Sequence, residues 1–118
     1  MDIDQAQKVL RQFAADRDWE QFHSPKNLAS AMSVEAAELL EHFQWLSESE
    51  SSELSEKKKT DVAHEMADVF YYLLRLADVL DVNLEDSLEQ KMIINAQKYP
   101  AEKVRGSAKK YTEYDEQG

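Results

Sequence analysis

The sequence predicts an all-α fold, a helical bundle of four main helices, on three observations. Only two Gly and two Pro interrupt 118 residues. No stretch keeps the apolar-polar alternation of a half-buried strand, and apolar side chains recur instead at spacings of three and four. Ala6, Val9, Leu10 and Phe13 mark a first helix over about residues 4–15. An irregular link, "DRDWEQFHS", follows. Ser24 before Pro25 reads as an N-cap with proline in the first turn, so a second helix is expected over about 25–45. After the polar joint "LSESESSELSEKKKT", the stripe Val62, Val69, Leu73, Leu76 and Leu80 marks a long third helix over about 56–80. Asn83 caps a fourth that stops before Pro100. Residues 1–100 form the helical domain. The tail, 101–118, is basic first and acidic last without a helical stripe, and is expected to be a partly ordered arm or a loose end.

Length and composition narrow the chemistry. A chain of this size can bury roughly two thirds of its unfolded surface, enough for one independent core. The absence of cysteine excludes disulfides, thiolate metal sites and a cysteine nucleophile, leaving oxygen and imidazole ligands. A formal charge of −10 argues against nucleic acid as a partner, because that affinity rests on Lys and Arg neutralising phosphates. The same charge suits a site that concentrates hard cations. No run of about eighteen apolar residues and no charged-then-apolar leader is visible, so no membrane partner is expected and a cytoplasmic location is the default.

The segment "VEAAELLEHFQW", residues 34–45, sets Glu35 and Glu38 at the edge of an apolar stripe. At roughly 100° per residue Glu35 projects near Leu28, Met32 and Leu39, with Glu38 about 60° away. Asn27, His42 and Trp45 fall on the same face. On the third helix Glu65 lies beside Val69 and Leu76, with Asp68 and Tyr72 on the adjoining edge. Acid-x-x-acid pairs occur eight times in this acidic chain, and most must be solvated surface. What distinguishes Glu35/Glu38 and Glu65/Asp68 is their close flanking by Ala, Leu, Met, Val and Phe. Carboxylates near a core become neutral, pair with cations or bind metal. No Lys or Arg shares the second-helix face; Arg75 lies along the third-helix face and could partly pair with them. Four carboxylates without a soft ligand favour Mg²⁺, with Mn²⁺ a possible substitute. A di-iron bundle fails the count, since the one Glu-x-x-His, Glu20 to His23, lies in the link before Pro25.

"VEAAEL" ahead of "EMADVFYYL" resembles the paired E-x-x-E and E-x-x-D motifs of the MazG-like all-α nucleoside triphosphate pyrophosphohydrolases. "FAADRDWEQFHSPKNLA", "FQW", "KMIINAQKYP" and "SAKKYTEY" resemble the dCTP pyrophosphatase-like branch in particular. The resemblance implies Mg²⁺-dependent hydrolysis of a (d)NTP, of dCTP or a related pyrimidine nucleotide, to the monophosphate and pyrophosphate, in nucleotide-pool sanitation. It also implies a homo-oligomer, dimer or tetramer, whose bundles are completed between subunits. Glu35, Glu38, Glu65 and Asp68 match the family's metal ligands, and Glu38 is preferred as the group that orients the attacking water. Tyr72, Lys91 and Asn95 match triphosphate contacts. Lys109, Lys110 and Tyr111 lie in the tail, which in the family closes over a neighbouring site. Trp19 and Trp45 match aromatic positions around the base, with His23 and Asn27 close by in sequence. One position departs: the dCTP-preferring relatives place a histidine on the first helix in the base pocket, where this chain has Leu10. The rival from another class is a non-catalytic, metal-stabilised helical interaction module.

Overall fold

The computed structural model describes residues 1–106 and is helical, with no strand among them. In order it comprises α1 (Ile3–Asp16), a single 3-10 turn (Glu20–Phe22), α2 (Pro25–Glu41), α3 (Glu48–Ser51), α4 (Glu56–Leu80), α5 (Leu84–Lys98) and α6 (Ala101–Val104). The chain divides into two compact units, one of Met1–Val82 and one from Asn83 onward. None of the described helices is long and apolar enough to cross a membrane.

Short polar side chains start the helices, as the sequence leads one to expect. Ser24 and Asn83 accept the amides of Asn27 and Asp86, and Ser55 accepts that of Lys58, each satisfying an orphan donor of the first turn. The first helix begins earlier than its apolar stripe suggests, because Asp2 and Gln5 form a reciprocal capping box. The same device builds α3 inside the polar joint: Ser47 Oγ accepts from the Glu50 amide at 3.1 Å while Glu50 Oε1 accepts from the Ser47 amide at 2.9 Å. That new start cuts α2 short at Glu41 instead of 45, and residues 42–45 pass through turns. At the other end of α4, Asp81 takes the left-handed conformation (φ 56°) and Val82 donates back to the Ala77 carbonyl at 2.8 Å, closing the helix. Beyond α5, the tail opens with the four-residue α6, which no apolar periodicity announces.

In the first unit α2 and α4 pack along each other, and α1 lies against α4. The buried apolar side chains are few: Ala14, Leu28, Val62, Leu74 and Ala77. Several large ones stay exposed, among them Val34 and Leu40 of α2 and Met66 and Phe70 of α4. The α1–α4 contact is polar as well. Gln7 donates to the Leu74 carbonyl at 3.2 Å, and Arg11 forks onto Asp78 at 2.7 and 2.9 Å. Arg75, 4% exposed, donates to Asp78 Oδ2 from one side and to His23 Nδ1 from the other, both at 3.3 Å. The sequence suggested that Arg75 could pair with the second-helix acids; its guanidinium serves Asp78 and the interhelical link instead.

A charge this deep needs its counter-ion. Asp78→Ala is expected to cost about 3 kcal/mol in urea unfolding, because it strands the Arg75 guanidinium. Arg11→Ala, at a half-exposed end of the same network, should cost much less. The Arg11 hydrogen bond, with the charges of Arg11 and Arg75, holds the Asp78 carboxyl below its ordinary value despite burial. Its contribution is therefore fully present above the usual carboxylate range and lost as pH falls through the lowered value.

Candidate metal and nucleotide site

Three of the four acids come together. One carboxylate oxygen from each of Glu35, Glu38 and Glu65 lies within 4.8 Å of the others, two from α2 and one from α4, and all three side chains are half-buried. Asp68 is exposed one turn along α4, near enough for its charge to act on Glu35. The α2–α4 packing creates this convergence, since each helix sets its i and i+3 acids at the edge of the face it turns to the other.

The cluster lacks compensation within the described residues. Glu35 Oε2 and Glu65 Oε2 are buried with no hydrogen-bond partner. Full charges at about 5 Å repel by roughly 3 kcal/mol at an effective dielectric near 20, so three ionised groups cannot coexist cheaply. The chain responds at Glu35, whose pKa rises to about 7. Burial is the largest cause, followed by hydrogen bonding to Glu38, the charges of Glu38 and Asp68, and hydrogen bonding to Glu65. A proton on Glu35 gives a neighbouring carboxylate something to accept, but it neutralises only one charge of the set and leaves those of Glu38, Glu65 and Asp68 facing one another. A cation can. The donor set is all oxygen and hard, which fits Mg²⁺ or Mn²⁺ and no soft metal.

Tyr72 stands next to this cluster on α4. Burial raises its phenol pKa, with further contributions from Tyr71, Glu35 and Asp68, and its ring meets that of Tyr71 edge-to-face at 4.9 Å. Lys91, exposed, and Asn95, half-buried, share one face of α5 in the second unit. Lys109, Lys110 and Tyr111 lie outside the described residues.

The link before α2 carries a second group. Asp18 adopts φ 54°, and the Trp19 amide donates to the Ala14 carbonyl at 2.9 Å, folding the chain back over the end of α1. Trp19 meets Phe13 edge-to-face at 5.7 Å, with the Arg17 guanidinium 3.6 Å above the Phe13 ring, and remains 42% exposed. Asn27 braces the 3-10 turn by donating to the Phe22 carbonyl at 3.0 Å. His23 ends that turn, and burial together with the Arg75 charge lowers its pKa. Trp45, which residue type alone would place in a core, is 87% exposed in the turns after α2. His42 is half-buried, and Leu10, in the place of the first-helix histidine, is half-buried as well. Sequence reasoning missed the Arg11–Asp78–Arg75–His23 chain: its bonds Arg11–Asp78 and Arg75–His23 join residues 67 and 52 positions apart, and no local pattern links them.

A model described as the MazG-like family matches residues 30–114, a span that holds Glu35, Glu38, Glu65, Asp68, Tyr72, Lys91 and Asn95. The chain is 41% identical over 113 residues to dCTP pyrophosphatase 1 of Mus musculus, a match covering 94% of this chain and 66% of that protein. Identity to the Homo sapiens dCTP pyrophosphatase 1 is 40% with the same coverage. The chain thus spans about two thirds of the length of these relatives. A crystal structure of a pyrophosphatase from Archaeoglobus fulgidus superposes with a TM-score of 0.75 at 47% identity, over 79% of this chain and 87% of that one.

The raised carboxyl has a sign that calorimetry can read. Protein stripped of divalent ions should lose stability as pH climbs from the ordinary carboxylate range through about 7, because the folded state holds a Glu35 proton that the unfolded chain has released. Glu35→Gln should flatten that part of the melting-temperature profile. A wild-type profile already flat across this window would contradict the crowding.

Proposed function

The chain belongs to the MazG-like family, and on that premise we propose that it is a nucleoside triphosphate pyrophosphohydrolase. It cleaves the α–β phosphoanhydride of a (d)NTP, with dCTP or a related pyrimidine nucleotide as the preferred substrate, in cytoplasmic nucleotide-pool sanitation. The observation that carries the reading is the set of converging carboxylates with two buried, unpartnered oxygens. Glu35, Glu38 and Glu65, with Asp68 at the rim, would hold Mg²⁺. When bound there the cation supplies charge neutralisation across the phosphates and acidifies a water.

The remaining chemistry belongs to the side chains. Glu38 orients the attacking water and takes its proton as general base. The Tyr72 hydroxyl donates to a phosphate oxygen beside the carboxylates. Lys91 and Asn95, i and i+4 on α5, meet one anion together with charge and an amide donor. Lys109, Lys110 and Tyr111, outside the described residues, are further candidates for contact with the triphosphate. Trp19 and Trp45 stack on the base, each contact worth about 1–3 kcal/mol. His23 and Asn27 hydrogen-bond the base or sugar. A ring as exposed as Trp45, together with the uncovered Val34, Leu40, Met66 and Phe70, supports a homo-oligomer, dimer or tetramer, that buries them and completes the site.

The purified protein, incubated with Mg²⁺ and a panel of dNTPs, should release monophosphate with pyrophosphate and turn over dCTP fastest. Orthophosphate alone, or no turnover, would overturn the assignment and favour a non-catalytic, metal-stabilised interaction module. Glu38→Gln should lower turnover about a hundredfold or more while leaving helical content intact, as expected for the loss of a general base.

A further inference from the structure

Arg75 is a buried cation that the proposed chemistry leaves unused. It sits on α4 behind the aromatic link, and its surroundings define what His23 can be. A guanidinium has donors and no acceptor. Both Nε and Nη2 of Arg75 lie 3.3 Å from His23 Nδ1, so that nitrogen must keep its lone pair and the ring proton must sit on Nε2. The arginine is itself fixed from the far side by Asp78, which Arg11 of α1 holds by two hydrogen bonds. One chain of contacts therefore runs from α1 through α4 into the link that carries Trp19.

We propose that Arg75 is a positioning residue that sets base specificity: by occupying His23 Nδ1 it leaves Nε2–H as the imidazole's remaining polar group. At His23 the imidazole then offers a donor and no acceptor. This rests on the reading that Trp19 and His23 contact the base. The matching ligand is a base whose facing edge accepts, such as the 2-keto oxygen and unprotonated ring nitrogen of cytosine. A base edge presenting a donor at that place meets the Nε2 proton head-on.

The charges around His23 give the arrangement a pH response. Arg75 faces it from α4 with Asp78 behind, Arg11 reaches that carboxylate from α1, and Glu20 lies in its own turn and acts in the opposite sense to Arg75. Protonation at Nδ1 would put two cations in contact with no hydrogen bond between them, releasing the link.

Nitrogen-15 histidine spectra of the full chain near neutral pH test the tautomer directly. The wild-type protein should show His23 protonated on Nε2 with a bare Nδ1, and Arg75→Met should let the proton distribute over both nitrogens. For dCTP, Arg75→Met should raise KM about tenfold, the worth of roughly one hydrogen bond, with kcat nearly unchanged. Arg75→Lys, which keeps a donor, should recover most of the loss. The proposal is overturned if the wild-type ring carries its proton on Nδ1 or on either nitrogen equally, or if Arg75→Met lowers kcat and spares KM. Should Arg75→Met fail to fold, the wild-type spectrum and the Arg75→Lys kinetics decide. Should no nucleotide be hydrolysed, the functional reading fails, and with it the specificity role; the spectrum still shows whether Arg75 holds the ring.

Discussion

Carboxylates from two packed helices occupy a volume too small for their charges, and the arrangement of the first unit around that volume follows from it. A fold free to choose would point Glu35 and Glu65 outward, where hydration is cheap. Here α2 and α4 aim them at each other and leave an oxygen of each buried without a donor. The retained proton on Glu35 is the response of a chain lacking a counter-ion, and it neutralises one charge of the set. Binding of a hard divalent cation would convert the same geometry from a cost into an attraction, and this is why the cluster reads as a site.

Arg75 shows the contrasting solution. Three turns along α4 from the acids, a buried charge is met within the chain by Asp78 and by the lone pair of His23. Both are ionic features inside a small core, yet one is closed by protein and the other is open to something from outside. That difference separates a structural network from a binding site without appeal to residue type. It also ties the aromatic link to the helix that supplies Glu65 and Tyr72, so the two groups of candidate residues share one support.

Much of this was legible in the sequence because its signals are local. Ser24–Pro25 and Asn83 fix helix starts by satisfying their own backbone, and the third-helix stripe delimits α4 at residues 56–80. The i, i+3 spacing of Glu35 with Glu38 and of Glu65 with Asp68 predicted shared faces. Convergence across helices could only be inferred from their apolar flanks. The end of α2 was misplaced because apolar Phe43, Trp45 and Leu46 continue the pattern while the Ser47–Glu50 box starts another helix. The Arg75–His23 contact was hidden because side chains more than fifty positions apart meet only through the packing of the chain. Trp45, which the resemblance places at an aromatic position around the base, stands 87% exposed in the turns after α2.

The most direct test is a calorimetric titration of metal-stripped protein with Mg²⁺ near pH 7, repeated in buffers of different ionisation enthalpy to count displaced protons. If the cation takes over the role of the Glu35 proton, binding must release protons, and the release must vanish in Glu35→Gln. Binding without proton release, or no binding at a large excess of cation, would contradict the account.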